Sequence, residues 1–126
     1  MHKSRLAGIV IDCRSDDLDE AAAFWGAALG YEPYADSRTD TSRYRILKTP
    51  EGEVGLDVQK VDHESRVHLD IETDDIEAEV ARLESLGAVR IARTPGWVVM
   101  QAPTGQRFCV VKVFRANFDA EANPWA

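Results

Sequence analysis

Apolar and polar positions fall into two blocks with the same order of elements. The first block opens with LAGIVIDC, residues 6–13, an apolar run rich in β-branched side chains, and passes through RSDDLDEAAAFWGAALG. The second opens with VHLDIE, residues 67–72, and passes through TDDIEAEVARLESLG. Each reads as strand, acidic turn, short amphipathic helix and glycine. Asp16 or Asp17 is placed to cap the first helix with Glu20 in reciprocal reach, and Asp74 with Glu77 repeats the arrangement. Leu18, Ala22, Trp25 and Leu29 form one apolar stripe; Ile76, Val80, Leu83 and Leu86 form the other. Gly30 and Gly87 follow as helix-terminating residues able to take positive φ.

Shorter strand-like pieces follow each helix. In the first block they lie at 31–34, 44–48 and 54–61, and in the second at 89–93, 97–101 and 107–114. The turn-forming runs TPEGE and APTGQ separate them. Each block is therefore β-α-β-β-β, and one alone would leave a sheet with a single helix on one face. Pairing the two buries more apolar surface and creates a cleft. The expected organisation is one domain over 1–126, with module one at about 5–61, module two at about 66–114 and a tail at 115–126. In that tail Phe118 and Trp125 are the candidate anchors.

Composition narrows the partners. The chain has 126 residues, a formal charge of -7 and a pI near 4.9. A field of that sign repels phosphate backbones and anionic lipid, so neither nucleic acid nor a membrane is an expected partner. No apolar stretch approaches the roughly 20 residues that cross a bilayer. The basic N-terminal residues precede no signal-type apolar segment, and Cys13 and Cys109 read as reduced, buried thiols. A cytoplasmic location follows as the expectation.

The stretches HLDIETDDIEAEVARLESLGA (68–88), WVVMQAPTGQRFCVV (97–111) and FWGAALGYE (24–32) resemble the vicinal oxygen chelate superfamily, in its glyoxalase-like and bleomycin-resistance-like branch. The resemblance implies an α+β fold of two paired βαβββ modules forming an open, eight-stranded, barrel-like cup, the glyoxalase/bleomycin resistance/dihydroxybiphenyl dioxygenase fold. It also implies frequent dimers and functions that range from lyases and isomerases or epimerases to drug sequestration. Catalytic members hold a divalent metal through a His or Gln and a Glu from each module. Carried over, His68 matches one such ligand. Val10 or Ile11, Leu56 and Cys109 stand at the other positions, with Asp57 the nearest carboxylate to Leu56.

Strand alternation sorts the candidate site residues. Val67, Leu69 and Ile71 should pack under a helix, turning His68, Asp70 and Glu72 toward the cleft. Ile9, Ile11 and Cys13 leave Val10 and Asp12 on the cleft side, and Leu56 and Val58 leave Asp57 and Gln59. A carboxylate beside an imidazole favours its protonated form, so His68 and Asp70 are the candidate catalytic pair, with a hydrogen-bonded structural histidine as the alternative. Asp12, Asp57, Gln59, Trp97 and Cys109 are the candidate ligand-binding residues. Cys109 is read as an inert thiol before a nucleophile, Trp25 as core and His63 as a loop residue. The expected function is small-molecule binding in the inter-module cleft, with no cofactor and without the family metal site. The alternatives are a metal-dependent lyase or isomerase using His68 and Asp57, or a sequestering resistance protein. Open sheet edges and the apolar tail make a homodimer the expected assembly.

Overall fold

The computed structural model describes residues 1–34 and 42–126, which form two compact units. One is Gly8–Val67; the other joins Met1–Ala7 to His68–Ala126. In chain order the strands are β1 (His2–Cys13), β2 (Tyr44–Leu47), β3 (Gly55–Lys60), β4 (Arg66–Thr73), β5 (Val89–Arg93), β6 (Trp97–Gln101), β7 (Arg107–Lys112) and β8 (Asn123–Trp125). The helices are α1 (Leu18–Leu29), α2 (Ile76–Ser85) and α3 (Phe118–Glu121). The fold class is α+β, as the family resemblance implies.

In the unit Gly8–Val67, the end of β1 runs parallel to β3, which pairs antiparallel with β2. Ile9 lies opposite Leu56 and Ile11 opposite Val58, so one face of the strands is a continuous apolar row. That row meets Leu18, Trp25 and Leu47 to make the core beneath α1. Asp17 caps the helix by accepting from the Glu20 N–H at 3.0 Å, and Gly30 ends it in the left-handed conformation at φ 80. Gly26 is needed for a different reason. A Cβ there would stand 2.5 Å from the Tyr31 carbonyl oxygen, which is backbone and cannot swing aside. Gly26→Ala is expected to cost about 1–2 kcal/mol through this overpacking, despite alanine's better helix propensity. Urea unfolding checks this, and a variant as stable as the parent would show that the loop yields freely.

In the other unit the strand order is β4–β7–β6–β5, with β8 pairing antiparallel to the start of β1. The core beneath α2 joins Val80 and Leu83 to Val98, Met100 and Val110, with Ile71, Ile76 and Phe108 packed against it. Asp75, not Asp74, caps this helix, accepting from Ala78 N–H at 3.0 Å. Asp74 instead accepts from the Lys3 backbone N–H at 2.8 Å. Glu77 pairs with Arg90 and Arg93 rather than closing a capping box.

Three further expectations change. Residues 31–34 form no strand; Pro33 makes one isolated bridge to Leu47, consistent with proline's lack of a donor for a ladder. The eighth strand lies in the tail instead, where Phe118 is buried and Trp125 Nε1 donates to Ser4 Oγ at 2.8 Å. The tail thus covers its own apolar residues. Finally, of the row predicted to pack under α2, only Ile71 does so; Leu69 is 46% and Val67 58% exposed. The 10 residues of α2 span about 15 Å, whereas the 8 residues of β4 span about 26 Å, so the helix does not reach back over the strand's start. No helix among the described residues is long and apolar enough to cross a membrane.

Candidate functional site

The face of the β4–β7–β6–β5 sheet opposite α2 gathers four of the predicted site residues. Parallel pairing sets Asp70 opposite Cys109, so both side chains leave the sheet on the same side. His68, two residues earlier on β4, shares that side. A donor atom from each of His68, Asp70 and Cys109 lies within 4.8 Å of the other two. On the neighbouring strand Val99 is opposite Cys109 and Trp97 is opposite Val111, which places an indole and two valines beside the polar group. All six are partly buried.

Within the cluster, His68 Nε2 is 3.4 Å from Asp70 Oδ1. That contact is a charge pair when the imidazole is protonated, but its geometry is not a hydrogen bond. Asp70 Oδ1 is buried and accepts no hydrogen bond among the described residues. A buried acceptor left in that state costs about 1–3 kcal/mol, so the atom is poised for a donor or cation that the protein itself does not supply.

Glu72 lies on the same strand row but does not belong to this group. It is 0% exposed, and its Oε2 accepts from Arg5 Nε at 2.6 Å. Its Oε1 accepts from the backbone N–H groups of Phe114 and Arg115 at 2.8 and 3.0 Å. The carboxylate is fully used in holding the chain after β7. Sequence reasoning also passed over Arg107 and Gln101, which share the face with Cys109 and Trp97 by alternation. Arg107 Nε donates to Gln101 Oε1 at 3.0 Å. Period-two spacing was the available signal for both, from Cys109 for Arg107 and from Trp97 for Gln101.

The other predicted residues lie in the unit Gly8–Val67, on the face opposite α1. Val10 is in register with Asp57, and Asp12 with Gln59. The Gln59 amide donates to the Tyr44 hydroxyl at 3.1 Å, and Asp12 is buried. His63 is half-buried beside Arg66 and Glu64, in the connector between β3 and β4, as a loop residue should be. Trp25 packs in the core.

These positions test the metal set that the family resemblance implies. Val10 is a buried hydrocarbon, and Leu56 is part of the apolar core under α1. Neither carries a donor atom, so two of the four positions are closed. Among the described residues, the group with three close metal-ligating side chains is His68, Asp70 and Cys109, and Asp57 is outside it. The family's paired ligand set does not fit this chain.

Comparison with known proteins agrees with the fold. No curated protein sequence matches the chain. Among solved structures, a variant of the Streptomyces coelicolor methylmalonyl-CoA epimerase in complex with 2-nitronate-propionyl-CoA is 19% identical, covers 89% of this chain and 97% of its own, and superposes with a TM-score of 0.62. The Mycobacterium tuberculosis methylmalonyl-CoA epimerase is 18% identical over 91% of each chain, at 0.59. A Legionella pneumophila protein named as an NAD-dependent benzaldehyde dehydrogenase is 8% identical, covers 85% of this chain and 98% of its own, and reaches 0.63. Names this different on one fold mean that chemistry has to be argued from the site. The glyoxalase-like domain family matches residues 8–111. With that match covering most of its length, the chain belongs to the glyoxalase-like domain family of the vicinal oxygen chelate superfamily.

Proposed function

We propose that this protein binds a small organic molecule on the sheet face that carries His68, Asp70, Cys109 and Trp97, without the family's two-module metal site. The observation that carries this reading is the convergence of an imidazole, a carboxylate and a thiol within 4.8 Å beside an indole. A few polar groups set in an otherwise apolar wall is the usual make-up of a small-ligand site. His68 is the proton acceptor for an acidic C–H or O–H of the ligand. Asp70 stabilises the imidazolium that results, which suits the enolisation common to isomerases, epimerases and lyases. Trp97 and Cys109 form the wall against which the ligand lies. Asp12, Asp57 and Gln59 are proposed as ligand contacts on the face of their own unit. The two units together are taken as one glyoxalase-like domain, and two free cysteines suit a cytoplasmic location.

A fragment set of small carbonyl and carboxylate compounds, followed by NMR, tests the site. Binders are expected to lose at least about tenfold in affinity in His68→Ala, equivalent to about 1.4 kcal/mol. Affinity unchanged in that variant would remove His68 from the site. Product formation from a binder identifies an enzyme, whereas tight binding without turnover identifies sequestration.

A homodimer is also proposed, now on β5 alone, because the tail is covered within the chain. All five residues of that edge strand are exposed, including Val89 and Ile91. Unpaired edges of this kind need a partner or a block. Light scattering at micromolar concentration is expected to give twice the 14.0 kDa chain mass. A mass near that of one chain would refute the dimer.

A further inference from the structure

We infer that Arg107 and Gln101 form an anion-binding edge of this site, so that the ligand it takes carries a carboxylate. This rests on the proposed function's reading of the face around His68 as the chemical centre, and adds the class of compound that the centre accepts.

Strand register places both residues there. Leu69 pairs with Phe108 and Asp70 with Cys109, so His68, one residue earlier, lies beside Arg107 on the adjacent strand. Gln101 is opposite Arg107 on its other side. The side chains of Arg107 and Cys109 leave the same face, as do those of Gln101 and Trp97. An imidazole, a guanidinium and an amide thus stand in one row across β4, β7 and β6, with neighbouring strands about 4.8 Å apart.

The bonding of Arg107 leaves it open to a ligand. It is half-buried, and its one hydrogen bond among the described residues runs from Nε to Gln101 Oε1 at 3.0 Å. No acid among those residues pairs with it, although the chain has 22 acids against 15 bases. Other arginines are matched: Arg5 with Glu72, Arg82 with Glu79, and both Arg90 and Arg93 with Glu77. A guanidinium only donates, so the amide must turn its oxygen to it, leaving the Gln101 NH2 as a further donor. With Nε engaged, Nη1 and Nη2 keep the parallel N–H edge that fits a carboxylate bidentately. A partly desolvated cation without a counter-ion costs free energy, and an anionic ligand offsets that cost. The charge count selects a monoanion. One guanidinium balances a carboxylate, whereas a phosphate dianion would bring an uncompensated charge next to Asp70, one row away.

The test compares 4-phenyl-2-oxobutyrate with its primary amide, the same skeleton without the charge, by NMR titration of the full-length protein. The acid is expected to bind at least about tenfold tighter than the amide. Arg107→Met should abolish that preference by weakening the acid and sparing the amide, and Gln101→Leu should reduce it. Arg90→Met should leave it intact, because that guanidinium pairs with Glu77 on α2. Inorganic phosphate should displace the acid no better than acetate does. Equal affinity of acid and amide in the parent overturns the inference without any variant having to fold. So does an Arg107→Met variant that weakens both compounds alike, which would mean that Arg107 only props the sheet face. Phosphate displacing the acid at far lower concentration than acetate would overturn the carboxylate assignment. Acid and amide that bind equally, both lost in His68→Ala, would sink the anion edge and leave the proposed function standing. An acid preference that depends on Arg107 but not on His68 would support the edge and sink the proposed role of His68. If neither compound perturbs this face, both readings fail.

Discussion

Replacing Glu72 by alanine is expected to lower folding stability by about 3–5 kcal/mol, the range for breaking a buried ion pair by removing one partner. The carboxylate is 0% exposed and makes three hydrogen bonds, one to Arg5 and two to the backbone at Phe114 and Arg115. Its removal leaves the Arg5 guanidinium buried against Phe118 with its principal anion gone. Glu121, the other acid near Arg5, is at 3.3 Å and over half exposed, so it compensates weakly. Two backbone N–H groups lose their acceptor as well, which adds desolvation cost. Urea unfolding gives the value directly. The double variant Arg5→Met/Glu72→Leu should recover much of the loss, because replacing both charges removes the unpaired one. A single-variant loss below about 1 kcal/mol would show that water reaches Arg5 once Glu72 is gone.

A second large effect, about 2–3 kcal/mol, is expected at Glu79 and should depend on pH. Glu79 is also 0% exposed, on the side of α2 that turns Val80 and Leu83 into the core. Burial pushes its carboxyl up, but hydrogen bonds from Arg82, His2 and Ser4 outweigh that and hold it below the usual glutamate range. The Arg82 guanidinium in turn lies 3.9 Å over the Trp125 ring, tying the tail into the same network. A carboxylate depressed in the folded state stabilises the protein above its unfolded value, about 4.3, and that contribution is lost as pH falls through the lower folded value. Glu79→Gln should therefore cost most near neutral pH. The gap from the parent should narrow steadily below about pH 4. Unfolding free energies of both proteins across that window test it. A gap that stays constant to low pH would mean that the amide's shape, not the lost charge, sets the cost.

These two glutamates show where the sequence was legible and where it was not. The doubled strand–helix–glycine order was readable because helix period, caps and β-branched runs are local properties. Asp17, Gly30, Val80 and Leu83 stand where the pattern put them. Strand alternation likewise put His68 and Asp70 on one side of β4, whereas Cys109 and Trp97 join that face through the pairing of β7 and β6, which alternation alone does not give. Alternation gives the side of a strand, however, and not what meets it there. Glu72 was grouped with the site and is instead consumed by Arg5 and the chain after β7. Glu79 carried no local sign of its partners, His2 and Arg82, one of which is 77 residues away. Pairings across that distance leave no periodic trace. The tail escaped for the same reason, since four residues of α3 and three of β8 are too short to show a period.

The central claim is that the chemistry of this glyoxalase-like chain sits on one sheet face, around His68, Asp70 and Cys109. The most direct test is a crystal structure of the protein soaked with the tightest fragment found by NMR. The account predicts that fragment lying against Trp97 and Cys109, with a polar atom within about 3.2 Å of His68 or Asp70. A well-ordered fragment bound elsewhere, with that face empty, would contradict it.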